Sequence, residues 1–407
     1  MPSAPPPGDP VPSDGPPTAE ALKRFGADPG RRLGWYVHVP FCTVRCGYCD
    51  FNTYTKADLG GRDIRSDWSV AAVREVRLAR RLLGDLGSPA DTVFFGGGTP
   101  TLLPPRELAR VVDEIRDTFG LSGDVEITAE ANPDTLRDEV LAGLLEAGVN
   151  RLSIGMQSAV QQTLDVLDRT HRAEALPGVV DAARRAGFDR ISLDLIYGTP
   201  GETSAQWQTT LDTALAMQPD HVSAYGLVVE PGTALHRRVR GGEVAEVNDD
   251  EAAERYEAAD AAFVATGMCW YEVSNWSLPG QESRHNLRYW HNLDWWGVGP
   301  GAHSHLRGVR WWNRSHPVAW MQALASGHTP AQAREILTSE QSADEALMLG
   351  LRLADGVSLH AIPGFSRGRV PDLVADGLVV AVDDRIVLTG RGRLLADRVV
   401  LSLLEQP

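Results

Sequence analysis

Short apolar segments alternate with amphipathic segments over the first half of the chain. Helical periodicity predicts helices near residues 66–84, 105–119, 134–147, 173–187 and 203–217. Six segments rich in β-branched and aromatic residues are predicted strands: WYVHV (35–39), DTVFFGG (91–97), DVEITAE (124–130), NRLSIG (150–155), RISLDLIYG (190–198) and HVSAYGLVV (221–229). Repeated strand and helix units are typical of a parallel sheet, either an open doubly wound sheet or a barrel.

The positions of the polar clusters favour the barrel. Each cluster lies at or near the carboxyl end of a different predicted strand: the cysteine run 42–49, residues 96–99, Glu130, Gln157 and Asp194. Barrel enzymes gather side chains from many strands at that edge, whereas a doubly wound sheet uses one switch point. We therefore expect an α/β fold with a partial (β/α)6 barrel over residues 34–230, followed by a connecting α/β region over residues 231–334.

The two ends of the chain differ from this pattern. Residues 1–33 are rich in proline, which predicts a disordered tail. Residues 335–407 are expected to form a small winged-helix-like domain, with helices at 344–354, 371–377 and 391–404 and two strands around Asp383 and Asp384. Because its charges are mixed in sign, we favour a packing or partner-docking role over DNA binding.

Composition narrows the possible partners. The net charge is -15, with 54 acidic and 39 basic residues, which argues against nucleic acid as a partner. No stretch approaches the roughly eighteen apolar residues of a membrane span, and no apolar signal-peptide core is present. We predict a cytoplasmic protein and leave peripheral membrane association open.

Three of the four cysteines, Cys42, Cys46 and Cys49, lie within one run of eight residues. A four-iron cluster normally takes four thiolates, so three would leave one iron open to another ligand. A zinc site completed by Asp50, His38 or Cys269 is the main alternative, although zinc loops usually pair two separate CxxC motifs. The spacing favours the cluster over zinc and over a disulfide framework.

The remaining motifs are weak singly. The run GGGTP (96–100) is as typical of a tight turn as of a loop that binds a polar or anionic group. A strand-end carboxylate such as Glu130 is often only a cap or ion-pair partner. Gln157, Arg169 and Asp194 are no stronger alone. Several polar groups at one rim nevertheless predict a binding site there.

Together, CxxxCxxC after YVHVPF, GGGTP and the Glu-terminated strand resemble the radical S-adenosylmethionine (SAM) superfamily. The resemblance extends from about Tyr36 to the C-terminus. Within the superfamily, the chain most resembles the branch of oxygen-independent coproporphyrinogen III oxidases and haem chaperones. It implies a 4Fe-4S cluster on the three cysteines, with SAM on the open iron. It also implies SAM-binding roles for Tyr36, Tyr48, Gly97, Gly98, Thr99, Glu130, Gln157, Arg169, Asp194 and, at the edge of the pattern, Val228.

Two features separate the branches. The oxidases resemble CxxxCxxCxC, whereas this chain has Phe51 at the last cysteine position. Residues 270–320 hold eight of the 11 tryptophans and five of the 11 histidines, and their HNLRYW matches the chaperone pattern HNxxYW at His285, Asn286, Tyr289 and Trp290.

The resemblance implies haem binding at this motif, with His285 as the candidate iron ligand. His291, His303, His305 and Cys269 stay open as alternative ligands, and a hydrogen-bonded core histidine is the structural alternative. The implied function is a haem chaperone that binds haem or porphyrin, works with an electron-donor protein and delivers haem to haem-accepting, respiratory proteins. The alternatives are a coproporphyrinogen oxidase and a zinc-stabilised binding module.

Overall fold

The structure, a computed structural model, describes residues 7–12, 15, 16, 22 and 32–405. Most of the segment predicted to be a disordered tail lies outside these residues. Within the described part of it, Asp9 and Pro10 pair with Ala333 and Arg334 as a short antiparallel strand. This piece of the predicted tail is therefore ordered, because it supplies partners to the backbone groups of an edge strand.

The main sheet contains thirteen strands within the described residues. They are β1 (Asp9–Pro10), β2 (Leu33–Val39), β3 (Ala90–Gly97), β4 (Leu121–Ala131), β5 (Arg151–Gln157), β6 (Ile191–Tyr197), β7 (His221–Gly226), β8 (Cys269–Glu272), β9 (Asn275–Ser277), β10 (Trp295–Val298), β11 (His303–Leu306), β12 (Val309–Asn313) and β13 (Ala331–Ile336). Their spatial order is β1-β13-β12-β11-β10-β2-β3-β4-β5-β6-β7-β9-β8. The strands from β10 and β2 through β7 run parallel, and the flanking strands are antiparallel.

Helices cover the outer face of the parallel strands and link them. They are α1 (Arg65–Leu83), α2 (Pro105–Phe119), α3 (Asp138–Glu146), α4 (Gln161–Val166), α5 (Leu176–Ala186), α6 (Ser204–Ala216), α7 (Ala234–Arg240), α8 (Asp249–Ala265), α9 (Arg284–Trp290) and α10 (Pro317–Ala325). Short 3-10 turns occur at Gly84–Leu86, Pro100–Leu102, Pro133–Thr135, Ala173–Ala175 and Arg367–Arg369. Six consecutive parallel strands, β2 to β7, confirm the partial (β/α)6 barrel.

Two predicted helices begin later than expected. The helix predicted at 134–147 starts at Asp138, because the turn after Asn132 continues as a 3-10 turn through Thr135. The helix predicted at 173–187 starts at Leu176, where a proline in its first turn presets the helical backbone. The other three barrel helices lie within one residue of their predicted ends.

Alternation along the barrel strands separates two environments. In β5, Leu152 and Ile154 are buried under the helices, whereas Arg151, Ser153 and Gly155 face the barrel interior. The interior is therefore lined largely by polar side chains. In most barrels of this kind the interior is filled by Val, Ile and Leu, so a polar interior indicates a binding chamber rather than a packed core.

The C-terminal domain has its own apolar core and its own sheet, β14-β16-β15. Its elements are α11 (Ser339–Gly350), β14 (Val357–Ser358), α12 (Val370–Ala375), β15 (Val379–Val382), β16 (Arg385–Leu388), α13 (Gly390–Leu394) and α14 (Ala396–Leu404). The predicted hairpin around Asp383 and Asp384 is present. The helix predicted at 344–354 instead starts at Ser339, because Thr338 and Gln341 form a capping box. The helix predicted at 391–404 is broken at Leu395.

A few contacts join this domain to the barrel. Leu353 bridges Glu272 of β8, and the Ala354 amide donates to the Tyr271 carbonyl at 2.9 Å. Arg393 pairs with Asp260 of α8 at 2.6 Å. No helix in the described ranges is long and apolar enough to cross a bilayer.

Buried Glu75 on α1 holds the connecting region to the barrel. Its carboxylate accepts hydrogen bonds from the Gly299 amide at 2.9 Å, the Asn313 side-chain amide at 2.7 Å and the Trp320 indole at 2.9 Å. These three donors come from separate parts of residues 299–320. A single side chain therefore fixes that segment against α1.

We predict that Glu75→Ala lowers the free energy of unfolding by about 3 kcal/mol, because it leaves three buried donors without an acceptor. Arg77→Ala on the same helix is the control. Arg77 is 61% exposed and pairs with Glu114 at the surface, so its loss should cost less than about 1 kcal/mol. Denaturant unfolding measures both, and equal losses would contradict the anchoring role of Glu75.

Candidate functional site

A cavity of about 550 Å³ occupies the barrel interior and opens at the carboxyl ends of the strands. This volume lies in the range of small-molecule sites. Its lining joins all the predicted SAM positions with the three clustered cysteines and three residues of the HNLRYW motif. These are Tyr36, Cys42, Cys46, Tyr48, Cys49, Gly97, Gly98, Thr99, Glu130, Gln157, Arg169, Asp194, Val228, His285, Asn286 and Tyr289. Trp290, the fourth matched residue of that motif, lines a different cavity beside the C-terminal domain.

The cysteine loop, residues 40–54, leaves β2 and returns to it. The Cys42 amide donates to the Tyr54 carbonyl at 3.1 Å, which closes the loop at its base. At the tip, the Gly47 amide donates to the Leu167 carbonyl at 3.2 Å, and the Gly47 carbonyl accepts from the Leu235 amide at 2.7 Å. The thiols are therefore carried on a loop that is fixed at both ends.

The aromatic segment, residues 270–320, supports this loop from behind. The Asn52 side-chain amide donates to the carbonyls of Pro300 at 3.0 Å and Ser315 at 2.9 Å. His38 Nε2 lies 2.9 Å from the Asn52 carbonyl, and His38 Nδ1 lies 2.9 Å from the Tyr36 hydroxyl. A carbonyl only accepts, so Nε2 carries the proton and Nδ1 accepts from Tyr36. His38 is thus a loop support.

Burial controls the chemistry of the thiols. Burial, together with the neighbouring Cys49 and Cys46, raises the pKa of Cys42 to about 12, and burial raises the pKa of Cys49. Thiols of this kind lose their protons on binding metal. Within the described chain, no three His, Cys, Asp or Glu side chains are grouped around one metal-ion position. A four-iron cluster places each cysteine on a separate iron, so the donor set fits a cluster.

The glycine run after β3 packs against this loop. A Cβ atom at Gly98 would lie 2.5 Å from the Phe41 carbonyl oxygen, and one at Gly97, where φ is 112°, would lie 2.5 Å from the His38 ring. Thr99 is buried, and its hydroxyl accepts from the Asn132 side-chain amide at 3.3 Å. The glycines are therefore required by close packing under the cysteine loop, beyond any approach of a ligand.

Glu130 and Asp194 place two carboxyl groups on the inner wall of the chamber. Glu130 accepts from the Gly97 amide at 3.0 Å, and burial together with the charge of Asp194 raises its pKa to about 7. Asp194 accepts from the Ser153 hydroxyl at 3.0 Å, and burial raises its pKa. Glu130 can therefore switch between its neutral and charged forms near neutral pH, which suits a carboxylate that meets a cationic ligand.

Gln157, Arg169 and Tyr48 complete the rim. Gln157 has a φ of 61° where the β5–β6 register shifts, and this strained backbone is typical of functional strand ends. Arg169 donates to the Asn132 side-chain carbonyl at 2.9 Å and lies 3.4 Å from Cys46 Sγ. Its Nε atom is buried without a partner in the described structure. This leaves a donor beside the thiols for a further ligand.

The HNLRYW motif lies on α9, which closes the barrel at the amino ends of the strands. His285 Nδ1 lies 2.8 Å from the Thr92 hydroxyl, and Nε2 lies 2.8 Å from the Tyr289 hydroxyl. Its ring stacks on Phe94 with centroids 5.2 Å apart. Asn286 donates to Glu272 at 2.9 Å. Both His285 nitrogens are thus occupied, so iron ligation by His285 requires one of these bonds to break and stays a prediction.

The alternative haem ligands are spread over the molecule. Cys269 is exposed on edge strand β8, far from the cysteine loop in the sheet order. His303 stacks on Trp312, and His305 accepts from the Gly308 amide at 2.9 Å. His291 lines the smaller cavity beside the C-terminal domain.

The sequence reasoning missed several residues that line the chamber, above all Arg151, Ser153, His221 and Ser223. They occupy alternate positions of β5 and β7. Period-two alternation in those strands was the available signal, because polar residues there face away from the helices.

The chain matches the family model of the radical SAM superfamily over residues 36–214 and that of the HemN C-terminal domain over residues 337–395. It is 47% identical to the heme chaperone HemW of Mycobacterium tuberculosis over 92% of this chain and 96% of that protein. The heme chaperone HemW of Bacillus subtilis is 34% identical over 91% and 99% of the two chains. The radical SAM family implies a 4Fe-4S cluster and SAM.

The fold is also that of a solved structure. Coproporphyrinogen III oxidase (HemN) of Escherichia coli, described as a radical SAM enzyme, aligns with a TM-score of 0.80 over 94% of this chain and 92% of that chain, at 22% identity. At that identity the likeness shows the fold alone.

We predict that Cys46→Ala abolishes assembly of the cluster in anaerobic reconstitution while the barrel stays folded, because a loop side chain adds little to the core. Cys269→Ala, at the exposed edge, is the matched control and should keep the full iron content. Iron and sulfide analysis with circular dichroism tests both. Full iron content in the Cys46 variant would contradict the ligand assignment.

Proposed function

The chain belongs to the HemW family of radical SAM proteins, and we propose that it is a haem chaperone, which binds haem and delivers it to haem-dependent, respiratory enzymes. One observation carries the proposal: 47% identity to a protein named as a heme chaperone, spanning 92% of one chain and 96% of the other. A match of that extent includes both the cysteine loop and the HNLRYW helix.

We assign the cofactors to residues that line the chamber. Cys42, Cys46 and Cys49 would hold the cluster, and Glu130 and Gly97, with Tyr36, would hold SAM. When bound, the cluster supplies a single electron to SAM, which calls for an electron-donor protein. In the chaperone these groups serve to regulate haem transfer.

The chain's own contribution is to position and shield these groups. The loop closure at Cys42 and the clamp at Gly47 fix the thiols, and Gly97 orients Glu130 through its amide. Helix α9 closes the opposite end of the chamber. A chamber with fixed walls and one closed end keeps its ligands oriented.

Exposed apolar side chains at the chamber opening support delivery to a protein partner. Val44, Phe51, Tyr225 and Val228 all line the opening and are exposed. Exposed apolar groups clustered at a site rim are typical of contact surfaces. We place the encounter with the haem-accepting protein there, in the cytoplasm or at a membrane surface.

Coproporphyrinogen III oxidation is the second candidate, because residues 337–395 match the model of the HemN C-terminal domain. Against it, Phe51 stands at the position of the oxidase cysteine and is 61% exposed at the chamber opening. The oxidase proposal would need decarboxylation without that cysteine.

The two functions separate in one experiment. We predict that anaerobically reconstituted protein binds haem, seen as a change in the haem absorption spectrum, and forms no vinyl-bearing product from coproporphyrinogen III with SAM and a reductant. The Cys46→Ala variant controls for cluster-dependent turnover. Product formation by the wild type alone would establish the oxidase and defeat the chaperone assignment.

We also predict that SAM affinity rises between pH 6 and pH 8. The pKa of Glu130 is raised to about 7, mainly by burial, so its carboxylate is neutral below that pH and charged above it. If the charged form holds the SAM ammonium, affinity falls by up to about tenfold per pH unit below pH 7.

Glu130→Gln should remove this slope. Glu202→Gln is the matched control, because burial also raises the pKa of Glu202 to about 7 although it lies outside the chamber lining. Calorimetric titration at several pH values measures the slopes. A slope that persists in Glu130→Gln would assign the titration to another group.

A further inference from the structure

At the floor of the chamber, Tyr36, Phe94 and Arg151 line the cavity at one register level, and Thr128 is buried between Phe94 and Arg151. Tyr36 pairs with Phe94, Phe94 with Thr128, and Thr128 with Arg151. Below this layer, the His285 ring stacks on Phe94. Arg151 begins β5, and Gln157 at the rim lies six residues further, about 20 Å along an extended strand. Arg151 therefore lies toward the amino ends of the strands, at the opposite end of the chamber from Gln157.

Arg151 is a buried cation without a partner. It is 2% exposed and lines the chamber. Its guanidinium makes no hydrogen bond or ion pair with any residue that the structure describes, although other buried arginines here are paired, as Arg288 is with Asp91. Burying an unpaired charge is costly, so such a group persists where a ligand supplies the missing charge.

A second donor lies beside it. The Thr128 hydroxyl is buried and has no hydrogen-bond partner within the described ranges. Thr128 and Arg151 are register partners on adjacent strands, so their Cα atoms are about 5 Å apart. Of the two, Arg151 lines the cavity, and its planar guanidinium is suited to the two oxygens of a carboxylate.

The carboxyl groups of the chamber do not take this role. Glu130 is engaged with the Gly97 amide, and Asp194 with Ser153. Arg151 acts on both only at longer range, where its charge lowers their pKa values against the larger effect of burial. Neither Glu130 nor Asp194 therefore forms a direct ion pair with Arg151.

We propose that Arg151, which lines the chamber beside the buried Thr128, binds a carboxylate of the chamber's ligand. Haem carries two propionates and SAM one carboxylate, and both present the same chemistry to a guanidinium. Assigning the site to haem rests on the proposed chaperone function. The proposal also gives the HNLRYW helix a second role. His285, with both ring nitrogens hydrogen-bonded, supports Phe94 at the floor of the chamber.

Binding titrations of the full, anaerobically reconstituted chain test this. The variants are Arg151→Gln, Arg151→Lys and, as a matched control, Arg284→Gln. Arg284 lies at the same end of the barrel but pairs with Asp124 at 3.3 Å near solvent. The probes are haem, haem dimethyl ester and SAM. Loss of a charge-assisted bond should weaken the affected ligand about tenfold to a hundredfold in Arg151→Gln, and less in Arg151→Lys.

Weaker haem binding in Arg151→Gln, with the dimethyl ester unaffected, would support a propionate site. A loss confined to SAM would support the carboxylate site and assign it to SAM. Affinities unchanged within about twofold for both ligands, or equal losses in Arg284→Gln, would overturn the proposal. If the wild type binds no haem, the chaperone function fails, and the SAM titration alone decides the role of Arg151.

Folding of the variants is checked separately. Removing an unpaired buried charge should leave the thermal unfolding midpoint of the ligand-free protein unchanged or higher. Arg151→Lys keeps the charge and serves as the second variant.

Discussion

The two-residue alternation of six parallel strands is the constraint on which this structure depends. Apolar side chains on one face pack under the helices, and polar side chains on the other face line the chamber. A slip of one residue in any strand would exchange the two sets and bury Arg151 or Asp194 under a helix. The apolar core and the chamber are therefore specified by the same register, and the chamber needs no separate folding signal.

The aromatic segment packs as core beside this sheet and supports the chamber from outside. Trp296 packs against Trp311 and Trp35, and Trp320 donates to Glu75, so these side chains form core between the connecting strands and α1. The concentration of tryptophan is thus accounted for largely by packing. What the segment gives to the site is support of the cysteine loop through Asn52 and closure of the chamber floor through α9.

Much of this was predictable from local signals. Strand and helix repeats, the capping residues and the clustered cysteines act over a few residues, so the barrel and the thiol loop follow from the sequence. Contacts between residues that are far apart in the sequence cannot be predicted from local patterns. Only the fold shows that the Thr92 hydroxyl is hydrogen-bonded to the His285 ring. It also shows that Gly98 packs against Phe41 and Gly97 against His38, and that Arg151 has no partner among the described residues. The predicted ends of helices were wrong where a proline turn or a capping box shifted the start of the helix.

We infer that one chamber binds its ligands between a thiol loop at the rim and an unpaired cation at the floor. Iron anomalous diffraction from crystals grown anaerobically with haem and SAM would locate both the cluster and the ligand carboxylates. We expect iron density among Cys42, Cys46 and Cys49, and a ligand carboxylate within about 3 Å of the Arg151 guanidinium. Haem bound outside the barrel, with no ligand atom near Arg151, would contradict it.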